Sequence, residues 1–412
     1  MPEPEIAATE TESHQRIAII GAGPAGLMAA EVLGRAGLPV TIYDQMPSVG
    51  RKFLLAGRGG LNLTHGEPLE AFLTRYGAEA DPRLIAAIRT FPPDALRAWA
   101  EDLGQPLFVG SSGRVFPRAM KASPLLRAWL ARLNALGVRF ALRQRFQGFG
   151  ADGALLLEGA EPIRPRATLL ALGGASWPRL GSDGGWADAL RGQGIAIRPC
   201  TPANVGLRIG WSAHLSERFA GAPLKSVRVR WQDEQSRGDG IITAYGLEGG
   251  AVYPLSAAIH RAAASHGPQN ITLDLRPDLP EEALATKLRQ IRPRDSLSNG
   301  LRRALSLDPA AIALLREVMR DLPRDPLALA SLIKAVPLTV TGTEGLARAI
   351  STAGGLDWAE LDDHFMLKRL ACVFAAGEML DWEAPTGGYL LQASIATGFA
   401  AGQGVLDWTR RG

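Results

Sequence analysis

Three glycines near the amino terminus have the spacing of a dinucleotide-binding turn. They are Gly21, Gly23 and Gly26, in the pattern Gly-x-Gly-x-x-Gly. The first permits a tight turn, the second lets the backbone approach a pyrophosphate, and the third lets a helix pack closely on its strand. Asp44, 18 positions after Gly26, can accept a hydrogen bond from a ribose hydroxyl and disfavours a 2′-phosphate. The pattern predicts a bound dinucleotide, and at this point NAD and FAD fit equally well.

A second glycine-rich segment, residues 50–62, also carries cations. Its sequence is GRKFLLAGRGGLN, in which Arg51, Lys52 and Arg58 are the charged residues. Backbone amides and guanidinium groups in such a loop can lie along an extended dinucleotide. A basic surface loop is the alternative interpretation.

A third glycine-rich region lies near the carboxyl terminus. Gly377 and Glu378 follow a short apolar run, and Gly387-Gly388 directly precedes Tyr389. A helix that begins near Tyr389 could direct its positive end at the pyrimidine edge of a reduced flavin. A packed terminal helix that begins after glycines is the alternative.

The same region contains a long uncharged stretch, from Ala384 to Leu406. A stretch of this length could span a bilayer. Because it contains Pro385, five glycines and two glutamines, we interpret it as a buried part of a site. No export signal is visible in the acidic residues 1–15, so we expect a soluble, cytoplasmic protein with no membrane partner.

The apolar pattern predicts the elements that position these residues. Residues 16–20 form a buried strand, a helix follows the glycine turn, and residues 40–43 form a second strand, which completes a βαβ unit. Another strand is expected over residues 167–172, before Gly173-Gly174. Ser123-Pro124 predicts the start of a helix, with Ser123 as its cap.

After Thr201 the pattern changes. Val227, Val229 and Trp231 alternate with arginines, which is typical of a strand with one solvated face. The predicted fold class is α/β, a Rossmann-type domain interrupted by a β-rich insertion and a small helical subdomain. The expected parts are a flexible tail (1–15), the first domain (16–198 and 346–412), a β-rich insertion (199–278 and 335–345) and a helical subdomain (279–334).

Six sequence blocks, in order along the chain, resemble one group of bacterial flavoproteins. The blocks are GAGPAGLMAA, VGRKFLLAGRGGLNLTH, SSGRVFP, ALGGASWP, TAYGLEGGAV and AAGEMLDWEAPTGGYLLQASIATG. The group is the BaiN-like NAD(P)/FAD-dependent oxidoreductases, also called aminoacetone oxidase-family FAD-binding enzymes. The resemblance runs from about Arg16 to Gly404. It implies an FAD-binding Rossmann-type domain interrupted by a β-barrel-like insertion and a helical subdomain. It also implies NAD(P)H as a transient co-substrate and an electron-poor alkene as acceptor.

The resemblance also implies which residues contact the cofactor. Two departures indicate a distinct subgroup: Leu172 stands where relatives have threonine, and Leu61 where many have cysteine. The predicted cofactor-binding residues are Gly21, Gly23, Ala25, Gly26, Asp44, Gln45, Arg51, Lys52, Arg58, Gly59, Gly60, Asn62, Gly173, Gly377, Glu378, Gly388, Tyr389 and Leu390.

Composition excludes several other classes. The 412 residues are 46% hydrophobic and 21% charged, which excludes intrinsic disorder of the whole chain. Two cysteines are too few for a disulfide scaffold, and the six histidines do not have metal-ligand spacing. We therefore expect no metal. No motif for acyl or phosphoryl transfer is present.

Four features keep two interpretations each. Arg114 could bind an anionic substrate or pair with an acid. Tyr245 could donate a proton to a substrate carbonyl or pack in a core. His65 could lie near the flavin ring or serve as a cap. Arginines between residues 289 and 303 favour a solvated face over a nucleic-acid partner.

The prediction for function is an FAD-dependent oxidoreductase that uses NAD(P)H to reduce an electron-poor small molecule. Two alternatives are a flavin oxidase acting on an amine with dioxygen, and a non-catalytic flavin-bound regulatory or RNA-interacting protein. The oligomeric state and the catalytic acid or base are not predicted.

Overall fold

The computed structural model describes residues 15–57, 59–292 and 294–411. The chain divides into two compact units, of which the first comprises residues 1–201 and 351–412 and the second residues 202–350. Apart from Gln15, the predicted amino-terminal tail lies outside the described residues, and so does Arg58.

The bounds of the elements are as follows. The strands are β1 (Ile17–Ile20), β2 (Val40–Asp44), β3 (Thr64–His65), β4 (Leu107–Val109), β5 (Arg114–Pro117), β6 (Arg139–Leu142), β7 (Phe146–Phe149), β8 (Leu155–Leu157), β9 (Ala167–Leu170), β10 (Ile197–Ala203), β11 (Leu207–Ile209), β12 (Pro223–Trp231), β13 (Glu234–Thr243), β14 (Gly246–Glu248), β15 (Gln269–Asp274), β16 (Val336–Thr343), β17 (Ser351–Leu356) and β18 (Val373–Ala375). The helices are α1 (Pro24–Arg35), α2 (Arg51–Ala56), α3 (Leu69–Leu73), α4 (Pro82–Thr90), α5 (Pro93–Asp102), α6 (Ala122–Ala135), α7 (Trp186–Arg191), α8 (Ala213–Arg218), α9 (Tyr253–His266), α10 (Glu281–Arg289), α11 (Leu297–Leu305), α12 (Pro309–Val318), α13 (Pro326–Lys334) and α14 (Tyr389–Arg411).

A five-stranded parallel sheet forms the centre of the first unit, in the order β18-β9-β1-β2-β6. All four residues of β1 are buried, as expected for a parallel strand covered on both faces. Ile17 lies opposite Val40 on one side and Ala167 on the other. The predicted βαβ unit is therefore confirmed.

The carboxyl-terminal helix α14 packs against α1, the helix that follows the glycine turn. A β-carbon at Gly398 would collide with the backbone of Ala25, 2.3 Å from its carbonyl oxygen, and one at Gly402 would stand 3.2 Å from Ala29 Cα. Small residues let the two helices approach closely. The last element of the chain thus supports the first helix of the sheet domain.

The second unit contains a closed antiparallel barrel, in the order β11-β14-β13-β12-β15-β16. Val227, Val229 and Trp231 point into its core, as their alternation with arginine predicts. The helices α10 to α13 lie between β15 and β16 in sequence and contribute to the same core. The predicted fold class, a Rossmann-type domain interrupted by a barrel and a helical segment, is confirmed.

One predicted helix start is wrong. Helix α6 begins at Ala122 and not after Ser123, and no side chain caps it. Lys121 occupies the cap position in an extended conformation. Pro124 is tolerated in the first turn because the backbone N–H groups there have no partner within the helix.

The long uncharged stretch belongs largely to α14. Among the described helices, none combines the length and the apolar character that a membrane crossing requires.

Candidate functional site

A cleft opens at the carboxyl ends of β1, β2 and β9. This is the edge of a parallel α/β sheet where ligands bind. The sequence-predicted residues that line it are Gly21, Gly23, Ala25, Asp44, Gln45, Arg51, Lys52, Gly173, Gly377 and Glu378.

The three glycines of the turn have different surroundings. A β-carbon at Gly21, where φ is +111°, would collide with the carbonyl of Ala171, and one at Gly26 would collide with the carbonyl of Gly21. At Gly23 a β-carbon would meet nothing within 4 Å. The outer glycines therefore permit close packing, whereas Gly23 leaves room for a ligand at the amino end of α1.

Asp44 holds this turn in place. Its Oδ2 accepts a hydrogen bond from the amide of Ala22, and its Oδ1 accepts one from the amide of Met46, both at 2.7 Å. Burial raises the pKa of Asp44 above its ordinary value, and the two amides counteract part of that rise. Each carboxylate oxygen keeps a further lone pair. Asp44 can therefore accept a ribose hydroxyl while it positions the turn.

Three buried polar atoms of the cleft have no hydrogen-bond partner among the residues that the structure describes. They are Arg51 Nε, Gln144 Oε1 and Ser182 Oγ. Buried polar atoms are nearly always hydrogen-bonded in folded proteins. A polar ligand such as a dinucleotide could form hydrogen bonds with these two donors and one acceptor. The polar groups of the cleft therefore fit FAD.

Sequence reasoning missed Gln144 and Ser182. Gln144 follows the end of β6, which pairs with β2 and ends at the same edge of the sheet. That strand-end position is a signal that could have identified it. Ser182 carries no such signal, because its loop reaches the cleft through a hydrogen bond from Gln45 Nε2 to the Gly181 carbonyl, 136 positions away.

A polar network closes the far side of the cleft. Lys52 Nζ donates to Ser176 Oγ at 2.5 Å and to Glu378 Oε2 at 2.7 Å. Glu378 Oε1 accepts from the amide of Thr352 at 3.1 Å, and Thr352 Oγ1 accepts from the amide of Ala175. The side chains of Lys52 and Glu378 are 27% and 15% exposed. The network joins α2, the loop after β9 and the short 3₁₀ helix Gly377–Met379.

Seven of the predicted cofactor residues that the structure describes do not line this cleft. They are Gly26, which packs behind the turn, and Gly59, Gly60, Asn62, Gly388, Tyr389 and Leu390. Arg58 lies outside the described residues.

The start of α14 forms a separate cluster. A β-carbon at Gly388, where φ is +97°, would stand 2.5 Å from Thr64 Cα. The hydroxyl of Tyr389 donates to Glu67 Oε1 at 2.5 Å, and its ring stacks on His65 with the centroids 5.5 Å apart. Burial would raise the pKa of Glu67, but hydrogen bonds from Arg75 and Tyr389 outweigh it and hold this pKa below its ordinary value. His65 Nδ1 accepts from the amide of Glu67 at 3.2 Å, a local role that fits the cap interpretation.

Arg114 and Tyr245 have contrasting surroundings. Within the described parts of the chain, the Arg114 guanidinium has neither an acidic nor a hydrogen-bonding partner, which favours the anion-binding interpretation. Tyr245, in the second unit, donates to Glu248 Oε2 at 2.5 Å and lies under the guanidinium of Arg348. Burial and the neighbouring carboxylate raise the pKa of Tyr245. Among the described residues no cluster of three or more histidine, cysteine or acidic side chains could hold a metal.

Comparisons with known proteins place the chain in a family. The family model described as HI0933-like protein Rossmann domain matches residues 15–404. The chain belongs to this family. The family membership predicted from the sequence motifs is therefore confirmed, and with it FAD as the cofactor and flavin-dependent oxidoreductase as the class of enzyme.

Two relatives and one solved structure align along nearly the whole chain. The 3-dehydro-bile acid delta(4,6)-reductase of Clostridium scindens is 27% identical, over 95% of this chain and 99% of the relative. The ribosomal RNA dihydrouridine synthase of Escherichia coli (strain K12) is 26% identical, over 94% of this chain and 97% of the relative. The structure of 3-ketosteroid delta1-dehydrogenase from Sterolibacterium denitrificans aligns with a TM-score of 0.52 at 13% identity, over 96% of this chain and all of that one (100%), a likeness of fold alone.

Proposed function

We propose that this protein reduces a carbon–carbon double bond conjugated to a carbonyl group, with NADH or NADPH as the electron donor. The names of two relatives support this chemistry. A 3-dehydro-bile acid delta(4,6)-reductase and a dihydrouridine synthase both add hydrogen to a double bond that is conjugated to a carbonyl. A polarised double bond of this kind accepts hydride readily, whereas an isolated alkene does not.

The observation that carries the proposal is the open face of Gly23 beside Asp44, lined by buried polar atoms without partners. The amides at the start of α1 would bind the pyrophosphate, and Asp44 would accept the ribose hydroxyl. Arg51 and Lys52 supply positive charge to the same cleft. Gln144 and Ser182 would complete their hydrogen bonds with the adenosine half. These residues bind and orient the cofactor.

FAD bound by these residues would supply the chemistry of hydride transfer from the nicotinamide to the substrate. In the overall reaction NAD(P)H is oxidised to NAD(P)⁺ and the alkene is reduced. The β-carbon gains the hydride together with its electron pair. The electron pair of the double bond then forms the C–H bond at the α-carbon with a proton from solvent.

Anaerobic mixing tests this function. NADH or NADPH should bleach the visible flavin absorbance of the holoprotein, and 4-phenyl-3-buten-2-one should restore it in the absence of dioxygen. Absence of bleaching with both nucleotides would contradict the reductase. Hydrogen peroxide formation with an amine, without any nicotinamide, would identify the oxidase alternative instead.

A second candidate substrate is uridine within RNA, which contains the same conjugated double bond. The favouring observation is a set of exposed arginines without an acidic partner among the described residues: Arg289, Arg292, Arg294 and Arg302. Such residues neutralise phosphates, so binding of a structured RNA should weaken steeply as salt rises. Replacing Arg289 and Arg302 with glutamine should reduce that slope. The expectation that nucleic acid is not a partner stays a prediction.

A further inference from the structure

One face of the small sheet β3-β5-β4 combines exposed aromatic side chains with an unpaired cation. Arg114 and Phe116 are two positions apart on β5 and therefore share a face. Phe108 on β4 lies opposite Phe116, and their rings stack with centroids 5.7 Å apart. Phe108 is 36% exposed, and Met120, which follows β5, is 40% exposed. We name Phe108, Arg114, Phe116 and Met120 the β5 face.

The β5 face lies next to two of the glycine-rich segments. Met120 Cε stands 2.6 Å from the place where a β-carbon at Gly60 would be, and Phe116 lies 3.7 Å from that place. At the other end, Arg114 Nε is 3.9 Å from the place of a β-carbon at Gly387. The face thus runs from the loop at Gly60 to the start of α14.

Charge on this face points to an anionic ligand. The guanidinium of Arg114 is only half-exposed and has no acid or acceptor among the described side chains. It lies beside the amino end of α14, which adds a partial positive charge and backbone N–H groups that no helical carbonyl accepts. An arginine fork next to a helix terminus fits a carboxylate. Stacked aromatic rings and a methionine fit a flat apolar body.

We propose that the β5 face binds the substrate, and that the substrate is a flat apolar molecule with a carboxylate, which Arg114 recognises. This inference rests on the proposed function for the reacting part of the molecule. It resolves the two interpretations of Arg114, because the structure provides no acid for this residue. None of the four residues lines the dinucleotide cleft.

The test compares two enones that differ only in a carboxylate. The probes are 4-phenyl-3-buten-2-one and 4-(3-oxobut-1-enyl)benzoate, titrated calorimetrically into the FAD-loaded protein. We expect the acid to bind at least tenfold more tightly. Arg114→Gln should abolish that preference, whereas Arg118→Gln, the same charge change at an exposed arginine after β5, should preserve it. Met120→Ala should lower the affinity for both probes by a similar factor.

Each result decides one claim. Equal affinity of both probes for the unaltered protein would overturn the inference, while reduction of either probe would leave the proposed function intact. Loss of FAD from Arg114→Gln would also overturn it, because the face would then serve the cofactor. A preference that depends on Arg114, without reduction of either probe, would support the substrate class and contradict the reductase.

Discussion

Two of the glycine-rich regions of the first unit, the turn before α1 and the residues before α14, show how the same residue type serves opposite purposes. At Gly23, in the turn before α1, a β-carbon would meet nothing within 4 Å, so the glycine leaves space for a ligand. At Gly388, before α14, a β-carbon would stand 2.5 Å from Thr64 Cα, so the glycine lets two backbone segments touch. Spacing in the sequence does not distinguish these cases.

The polar groups of the two regions differ in the same way. In the cleft, Gln144 Oε1 and Ser182 Oγ are buried and form no hydrogen bond within the described part of the chain. At the start of α14, Tyr389 donates to Glu67, and Glu67 also accepts from Arg75. The cleft is therefore complete only with a ligand, whereas this cluster is satisfied by the protein itself. Substitutions in the cleft should change ligand binding, and those at Tyr389 and Glu67 should change stability.

The largest expected effect is that of Gly388→Ala. The methyl group would overlap Thr64, and alanine is strained at a φ of +97°. We expect the free energy of unfolding to fall by about 2–5 kcal/mol. Urea unfolding measures this, with Gly210→Ala as the control at an open glycine in the second unit. An unchanged midpoint would remove the distinction between the two regions.

Gly23→Ala should weaken FAD binding and leave the stability of the apoprotein unchanged. The methyl group fits the unliganded protein, so the melting temperature of the apoprotein should stay within about 1 °C. It occupies the space kept for the pyrophosphate, so FAD affinity should fall at least about tenfold, or ~1.4 kcal/mol. Reconstitution of the apoprotein with FAD gives the dissociation constant. Normal FAD affinity would show that the ligand does not approach this glycine.

Glu67→Gln should lower stability in a pH-dependent way. Its folded pKa lies below the ordinary value of 4.5, so its contribution is present above that pH and is lost as pH falls through the folded pKa. We expect a loss of about 1 kcal/mol at pH 7 that shrinks below about pH 4.5. Melting curves of both proteins from pH 3 to pH 7 measure the difference. A constant difference across this range would assign Glu67 a role other than as a charged acceptor.

Ser182→Ala should produce the smallest effect. It removes a buried hydroxyl without a partner, so the apoprotein should be as stable as before or slightly more stable. FAD should bind about 2–5-fold more weakly, which corresponds to one hydrogen bond of ~0.5–1 kcal/mol. A destabilised apoprotein with unchanged FAD affinity would mean that the hydroxyl serves the loop and not the ligand.

Much of the first unit could be predicted from local sequence. The buried strand at residues 17–20, the turn to Gly26 and the acid at Asp44 form one continuous βαβ unit, where spacing alone determines geometry. The alternating residues of β12 likewise predicted a strand with one buried face. Ser182 and Gly388 could not be interpreted in this way. Their roles depend on contacts with Gln45 and Thr64, far away in the chain, and no periodicity encodes such contacts.

A crystal structure of the protein with FAD bound is the measurement that tests the central claim most directly. The account predicts the ribose of the adenosine half against Asp44, the pyrophosphate over Gly23 at the start of α1, and new hydrogen bonds to Gln144 and Ser182. FAD bound with its pyrophosphate away from Gly23, with Gln144 and Ser182 still lacking partners, would contradict it.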